Sequence, residues 1–201
     1  MVGCHKEKIN YNNNKEKMFK VIVIGNSSVG KTSIVNRFVG DRFDPNYKAT
    51  ISADFQTKIL EIRGNEIRLQ MWDLVGMDTN FSGINRSFCR NAGGAVFVGD
   101  LTEPASIEIL AEWKAQVEEI IEGTPIPMIL CANKCDIIQE QEEEGRKEWE
   151  SLQTQEGLDD FAQIHGFIGA VMTSAKQDIN IIPMMASLTR QMLIKELAEN
   201  A

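Results

Sequence analysis

Residues 25–32, with the sequence GNSSVGKT, carry the residue types that bind phosphate. They match the pattern G-x-x-x-x-G-K-[ST] and lie between a predicted strand and a predicted helix. Glycines allow such a loop to curl until its backbone N–H groups point inward, and the N-terminus of the following helix adds partial positive charge. Lys31 can reach the β- and γ-phosphates of a nucleotide, and the Thr32 hydroxyl can ligate Mg²⁺. This phosphate loop predicts nucleotide contacts from Ser27, Ser28, Val29, Gly30, Lys31, Thr32 and the adjoining Ser33.

Two short segments after later strands have the residue types needed to recognise guanine. They are residues 133–136 (NKCD) and residues 173–176 (TSAK), called here the first and second base segments. Each is a weak signal alone, and the first could equally be a loop that caps a helix. A buried Asp136 carboxylate can accept from N1–H and N2–H₂ of guanine, a donor pair that adenine lacks. Asn133 can brace the loops, and the backbone N–H of Ala175 can donate to O6. Lys134, whose stem can cover the base, Ser174 and Lys176 complete the expected set.

A third motif suits a metal ion and a γ-phosphate. Residues 73–76 (DLVG) follow a predicted strand, so Asp73 can approach Mg²⁺ through water and the Gly76 backbone N–H can approach the γ-phosphate. Thr50 lies in the loop between the first helix and the second strand. Its hydroxyl can complete the metal shell when a γ-phosphate is present, which would order that loop. The predicted Mg²⁺ ligands are therefore Thr32, Thr50 and Asp73.

Strands alternate with helices along the chain, which predicts an α/β fold with a mostly parallel six-stranded sheet and helices on both faces. Ligands of such sheets sit beyond the carboxyl ends of the strands, where the motifs above fall. A hairpin is expected from strands 51–63 and 66–73 around the turn pair Gly64-Asn65. Thr102 is expected to cap the helix that follows it.

The chain is predicted to hold one nucleotide-binding domain over residues 19–198, after a disordered polar extension at 1–18 and before a short end at 199–201. An acidic stretch, about residues 137–153, is interpreted as a surface insertion. It is expected to be a solvated loop or short helix, with a partner-contacting role as the alternative.

Composition excludes several classes of protein. The net charge of −8 over 201 residues argues against a general nucleic-acid binder, which needs a basic face. The four cysteines are too few and too scattered for a disulfide framework, and the spacing of Cys131 and Cys135, with no further ligand pair nearby, argues against zinc. The sequence contains no run of 18 apolar residues, so no membrane span is predicted.

Taken together, these motifs resemble the Ras superfamily of small GTPases over roughly Phe19 to Leu197, and several segments resemble its Rab branch. Residues 50–55 (TISADF) are similar to the Rab T-I-G-x-D-F element, Trp72-Asp73 to the Rab W-D, and residues 87–92 (SFCRNA) to S-Y-Y-R-G-A. The resemblance implies that Phe55, Trp72 and Phe88 form an aromatic triad that reports nucleotide state to effectors; the alternative is three core aromatics. It implies that Phe43 packs against the guanine edge and that Tyr47 belongs to the nucleotide site. It also implies GTP or GDP with Mg²⁺, an exchange factor, an activating protein and a monomeric chain.

The sequence departs from the family in the catalytic segment. Family members read D-T-A-G-Q-E where this chain reads DLVGMD, so Met77 stands where a glutamine orients the attacking water. Gly76 and Lys31 are the other residues expected to take part in catalysis. A thioether is a weak acceptor with no donor, so it cannot replace that glutamine. Val75 is bulkier than the usual alanine. We therefore predict slow intrinsic GTP hydrolysis. Two other functions stay open: a GTP-binding scaffold or adaptor with little hydrolysis, and a P-loop kinase or ATPase, which the base segments disfavour.

No cysteine follows Cys135, so the prenylated tail expected of a Rab is absent from this sequence. Either such a tail was removed or the protein is not lipidated there. The expected location is the cytoplasm, with peripheral membrane contact through partners or through a tail outside this chain, in keeping with a role in vesicle or membrane trafficking.

Overall fold

The computed structural model describes residues 17–45, 54–62, 65–74, 86–121, 125–146 and 148–199. Within these ranges the strands are β1 (Lys17–Ile24), β2 (Asp54–Ile62), β3 (Asn65–Asp73), β4 (Ala92–Asp100), β5 (Met128–Asn133) and β6 (Ala170–Met172). The helices are α1 (Lys31–Gly40), α2 (Arg86–Cys89), α3 (Ala105–Glu108), α4 (Leu110–Ile120), α5 (Cys135–Glu143), α6 (Gln155–Ile164) and α7 (Ile181–Glu199), with a 3₁₀ helix at Ser151–Gln153.

The described strands form one six-stranded sheet in the order β2-β3-β1-β4-β5-β6. The β2–β3 pair is antiparallel and the other four pairs are parallel. This confirms the predicted α/β class and the mostly parallel sheet. Because β1, β4 and β5 all run in one direction, the segments after them meet at one edge of the sheet.

Both faces of the central strands are buried, which explains their continuous apolar sequences. Val21 and Val23 of β1 pack on one face against α1 and α7, whereas Ile22 and Ile24 pack on the other face in a second core that includes residues of α4 and α6. Successive side chains of a strand point to opposite faces, so one apolar run supplies two cores.

Three sequence expectations differ from the structure at their boundaries. Asn65 pairs with Ile62 as the first residue of β3, so it is a strand residue and not part of the expected turn pair. Thr102 does not cap a helix: Pro104 is the N-cap residue of α3 and no side chain caps it, while Thr102 Oγ1 donates to Asp100 Oδ1 at 2.7 Å. β1 begins at Lys17, two residues inside the expected extension, and residues 1–16 lie outside the described ranges.

The acidic stretch contains most of α5 and the 3₁₀ helix. Its acidic side chains are solvent-exposed, whereas Ile138 is buried in the core. Gln153 is also buried and donates from Nε2 to the Leu101 carbonyl at 2.8 Å, which ties the end of the stretch to the segment after β4. None of the described helices is long and apolar enough to cross a membrane.

Candidate functional site

The phosphate loop joins β1 to α1. Its motif glycines, Gly25 and Gly30, lie where any larger side chain would clash with a neighbouring strand. A Cβ at Gly25 would lie 2.2 Å from the Val98 carbonyl oxygen, and one at Gly30 would lie 2.4 Å from Asn133 Nδ2. Gly30 also has φ 100°, a left-handed conformation that favours glycine. The loop therefore lies directly against β4 and the end of β5, and the motif glycines are what allow this.

Lys31 is buried beside the loop, with only 6% of its surface exposed. Its ammonium donates to the carbonyl oxygens of Gly25 at 3.0 Å and Asn26 at 2.8 Å. A buried ammonium is stable only with such partners. These contacts fix a positive charge next to the start of the loop and the N-terminus of α1, where a phosphate group would be stabilised.

Thr32 and Asp73 meet beside the phosphate loop, since the Thr32 hydroxyl donates to Asp73 Oδ2. Asp73 is 3% exposed, and its Oδ1 has no hydrogen-bond partner among the described residues. Burial raises the pKa of Asp73 above its usual value and outweighs the Thr32 hydrogen bond and the Lys31 charge, which lower it. An orphaned carboxylate oxygen beside a hydroxyl fits Mg²⁺, which prefers oxygen and takes only one or two carboxylates from the protein. The described residues contain no cluster of three His, Cys, Asp or Glu side chains that would suggest another metal.

Asn133 connects the phosphate loop to the second base segment. Its Nδ2 donates to the Val29 carbonyl at 2.9 Å. Its Oδ1 accepts from the Ala175 backbone N–H at 3.2 Å and from Thr173 Oγ1 at 3.3 Å. Asn133, which is 2% exposed, therefore makes three hydrogen bonds that link the phosphate loop to the second base segment.

Asp136 lies at the N-terminus of α5 and is 2% exposed. The Ser174 hydroxyl donates to its Oδ1 at 2.6 Å, and Lys176 Nζ lies 3.6 Å from its Oδ2. The two base segments are therefore joined at the carboxylate itself. A carboxylate has about four acceptor positions, so these two partners leave acceptor capacity for a ligand.

Lys134 and Asp100 form a further contact, which no sequence motif predicts. Lys134 Nζ pairs with Asp100 Oδ2 at 2.5 Å, and Asp100 is buried. Lys134 has φ 68°, so the backbone turns sharply between β5 and α5. The signal available in the sequence was a lone Asp at the end of β4, which is too common to identify this pair.

The three aromatic residues of the expected triad are in contact. The rings of Phe55 and Trp72 stack with centroids 5.3 Å apart, and Phe88 lies 6.4 Å from Trp72 in a tilted arrangement. Lys20 Nζ lies 4.5 Å from the Trp72 ring centroid and donates to the Arg90 carbonyl at 3.0 Å. Phe55 remains 54% exposed, so the triad forms a surface as well as a packing contact.

Several predicted residues cannot be placed. The catalytic segment with Val75, Gly76 and Met77 lies outside the described ranges, as do Tyr47 and the predicted Mg²⁺ ligand Thr50. The roles of these residues stay predictions. Phe43 is described and packs, partly buried, against the core formed by α1 and α7. Ser27 and Ser28 are exposed on the phosphate loop, and Ser33 is partly buried in α1.

Comparison with known proteins agrees with this arrangement. The sequence model of the Ras family matches residues 20–194. Ras-related protein Rab-32 of Homo sapiens is 36% identical over 184 residues, which cover 90% of this chain and 77% of that protein. Ras-related protein Rab-32A of Dictyostelium discoideum is 34% identical over 190 residues, covering 92% and 82%. Ras-related protein Rab-7L1 of Homo sapiens is 34% identical over 183 residues, covering 89% and 84%. With the six-stranded sheet and the residues gathered at its edge, these matches establish that the chain belongs to the Ras family, as a Rab-like small GTPase.

Proposed function

We propose that this chain binds GTP or GDP with Mg²⁺ at the edge of the sheet and acts as a Rab-like switch with slow intrinsic hydrolysis. The observation that carries the guanine assignment is the buried Asp136 carboxylate, held by the Ser174 hydroxyl at 2.6 Å. Without a ligand that donates two hydrogen bonds, a buried carboxylate is incompletely satisfied. Guanine supplies that donor pair, and adenine does not.

The phosphate end of the site is proposed to work through groups already held in place. Lys31 provides a fixed charge for the β- and γ-phosphates, and the loop N–H groups from Ser27 to Ser33 surround them. Thr32 and Asp73, with Thr50, are the proposed ligands of Mg²⁺, which would neutralise phosphate charge when bound. The domain that carries this site is proposed to extend from β1 through α7, and it therefore contains the expected range of residues 19–198.

The base end is proposed to use both base segments. Asp136 accepts from the guanine N1–H and N2–H₂ groups, and the Ala175 N–H donates to O6 in place of its present bond to Asn133. Lys134 and Lys176 cover the base, while Phe43 and Tyr47 approach its edge and the ribose side. Adenine would leave the remaining acceptor positions of Asp136 unfilled, which is the physical basis of the proposed selectivity.

Slow hydrolysis is proposed from the residue types at positions 75 and 77. Met77 offers neither the donor nor the strong acceptor that a glutamine side chain provides for the attacking water. Gly76 and Lys31 would still contact the γ-phosphate, so GTP binding does not depend on Met77. The alternative function, favoured by the same two positions, is a GTP-binding scaffold or adaptor that barely hydrolyses.

Partners are proposed from the exposed aromatic triad. Phe55, Trp72 and Phe88 form a surface next to Asp73, so effectors that bind there would be sensitive to the nucleotide. An exchange factor and an activating protein are the regulators expected in this family. We propose that the protein works in membrane trafficking from the cytoplasm, with peripheral membrane contact through partners.

The guanine assignment is tested by the nucleotide that copurifies with the protein and by a change of specificity. Asp136→Asn keeps one acceptor oxygen and replaces the other with an NH₂ donor, which suits the O2 of xanthine better than the N2–H₂ of guanine. We expect the variant to bind xanthosine diphosphate more tightly than GDP, while the wild type prefers GDP. Asp159→Asn is the matched control, since Asp159 is an exposed carboxylate on α6. Copurified ATP or ADP, or unchanged specificity in Asp136→Asn, would overturn the assignment.

A further inference from the structure

Arg37 lies in the last turn of α1 and contacts the second base segment, although no sequence motif includes it. Its Nε donates to the Ala175 carbonyl at 3.0 Å, and its Nη2 donates to the Lys176 carbonyl at 3.2 Å. The side chain is 15% exposed. The bond to Ala175 is partly buried, whereas the bond to Lys176 is open to solvent. A planar guanidinium can hold two neighbouring carbonyls at once because its donors have a fixed arrangement.

These two bonds hold the second base segment, which would lose a different hydrogen bond, the one to Asn133, when guanine binds. Asn133 Oδ1 now accepts from the Ala175 N–H at 3.2 Å, the same N–H group that is proposed to donate to guanine O6. When the base takes that proton donor, Asn133 no longer holds this N–H group. Arg37 then continues to hold the carbonyls of Ala175 and Lys176, while the bond from Ser174 to Asp136 and the backbone pair between Ser174 and Ile179 hold the start of the segment.

Arg37 also connects the two ends of the site through one rigid element. Helix α1 begins at Lys31, next to the phosphate loop, and Arg37 is six residues further along the same helix. A contact from this helix to the second base segment fixes the distance between phosphate and base subsites. That distance must match the length of a nucleoside diphosphate.

We propose that Arg37 is a positioning residue that holds the second base segment around guanine and thereby slows nucleotide dissociation. The inference rests on the proposed guanine site. A different role, stabilising the end of α1, is suggested by the contact of Nη1 with Asp41 Oδ1 at 2.9 Å. Asp41 is 83% exposed, however, and an ion pair with so exposed a partner contributes little.

The test compares GDP dissociation from the wild type, Arg37→Ala and Arg37→Lys, using a fluorescent GDP analogue chased with excess GDP. Losing two charge-assisted hydrogen bonds should accelerate release about tenfold or more in Arg37→Ala. Arg37→Lys should lie between, because an ammonium is a single point donor and cannot reproduce the paired contact. Asp41→Asn is the control: it removes the ion pair, and asparagine tolerates the φ of 51° at this position.

A second readout separates the base side from the metal side of the site. Chelating Mg²⁺ with EDTA should accelerate release from every variant, but the ratio between Arg37→Ala and the wild type should persist. Distant sites act additively, so a base-side effect is independent of the metal. Arg37→Ala should accelerate the release of GTP by the same factor as the release of GDP, since Arg37 contacts neither the proposed phosphate-binding residues nor the proposed metal ligands.

The outcomes are distinct. Wild-type release rates in Arg37→Ala, or equal acceleration in Asp41→Asn, would overturn the inference while leaving guanine binding intact. A ratio that disappears in EDTA would overturn it as well. If Arg37→Ala does not fold, the order of wild type, Arg37→Lys and Asp41→Asn decides the question. Failure of the wild type to bind any guanine nucleotide would instead reject the proposed function, and the inference with it.

Discussion

Asn133 Nδ2 donates to the Val29 carbonyl oxygen at 2.9 Å, across 104 residues of sequence. The bond joins the end of β5 to the phosphate loop, and the other end of the same amide accepts from the second base segment. Phosphate and base subsites are therefore attached to each other by one buried side chain. A change at Asn133 should act on both.

We expect Asn133→Ala to accelerate GDP release about tenfold or more, since it leaves the Val29 carbonyl without its donor in a buried position. The measurement is the dissociation rate of a fluorescent GDP analogue. Gln56→Ala provides the control, because it removes another amide hydrogen bond, to Asn36 Oδ1 at 2.7 Å, outside the base segments. Equal rates for the two variants would show that Asn133 has no special role in the site.

Gly30 and Gly145 allow a steric contact to be separated from backbone strain. Both have φ 100°, but a Cβ at Gly30 would lie 2.4 Å from Asn133 Nδ2, whereas a Cβ at Gly145 would meet nothing within 4 Å. Gly145→Ala should lower the free energy of unfolding by about 1–2 kcal/mol through left-handed strain alone. Gly30→Ala should lower it further and also weaken GDP binding. Denaturant unfolding in excess GDP and GDP titration test this, and equal losses in the two variants would contradict the close contact.

Much of the fold and site follows from local sequence, and the remainder depends on long-range packing. The phosphate loop and Asp136 were predicted because their chemistry is encoded within a few neighbouring residues. The alternation of strands and helices predicts the sheet but not its exact strand ends, so it does not show that Asn65 pairs with Ile62. No sequence pattern identifies Arg37, because its partner lies 138 residues away and is a backbone carbonyl, which leaves no trace in residue type.

The buried thiol of Cys131 makes the free energy of unfolding fall with rising pH in the alkaline range. Burial raises its pKa from 9.0 to about 12. An acid whose pKa is higher in the folded state keeps its proton on folding, so the free energy of unfolding falls as pH rises from 9 towards 12. Cys131→Ser has no group that titrates there and could keep the contact to Thr173 Oγ1, now 3.1 Å from the sulfur. Between pH 9 and 11 the wild type should lose about 2 kcal/mol more than the variant in denaturant unfolding. Parallel pH profiles would contradict the shift.

Trp72 should report the nucleotide state by fluorescence. Its ring stacks on Phe55 and lies beneath the Lys20 ammonium. Trp72 also directly precedes Asp73, a proposed metal ligand, in the sequence. Exchanging GDP for a non-hydrolysable GTP analogue should change the tryptophan emission, and Trp72→Phe should abolish most of that change. Trp149→Phe serves as the control because Trp149 packs against Arg146 in a different segment. A signal that survives in Trp72→Phe and vanishes in Trp149→Phe would contradict this assignment.

Hydrolysis of bound GTP under single-turnover conditions decides whether this protein is a GTP-binding switch with slow turnover. The protein is loaded with GTP labelled on the γ-phosphate, and retained GTP and released phosphate are followed together, beside Met77→Gln and an ordinary Rab that has the catalytic glutamine. We expect the wild type to bind GTP and to release phosphate more slowly than the ordinary Rab, and Met77→Gln to release it faster than the wild type. Failure to retain GTP, or a wild-type rate equal to that of the ordinary Rab, would contradict this expectation.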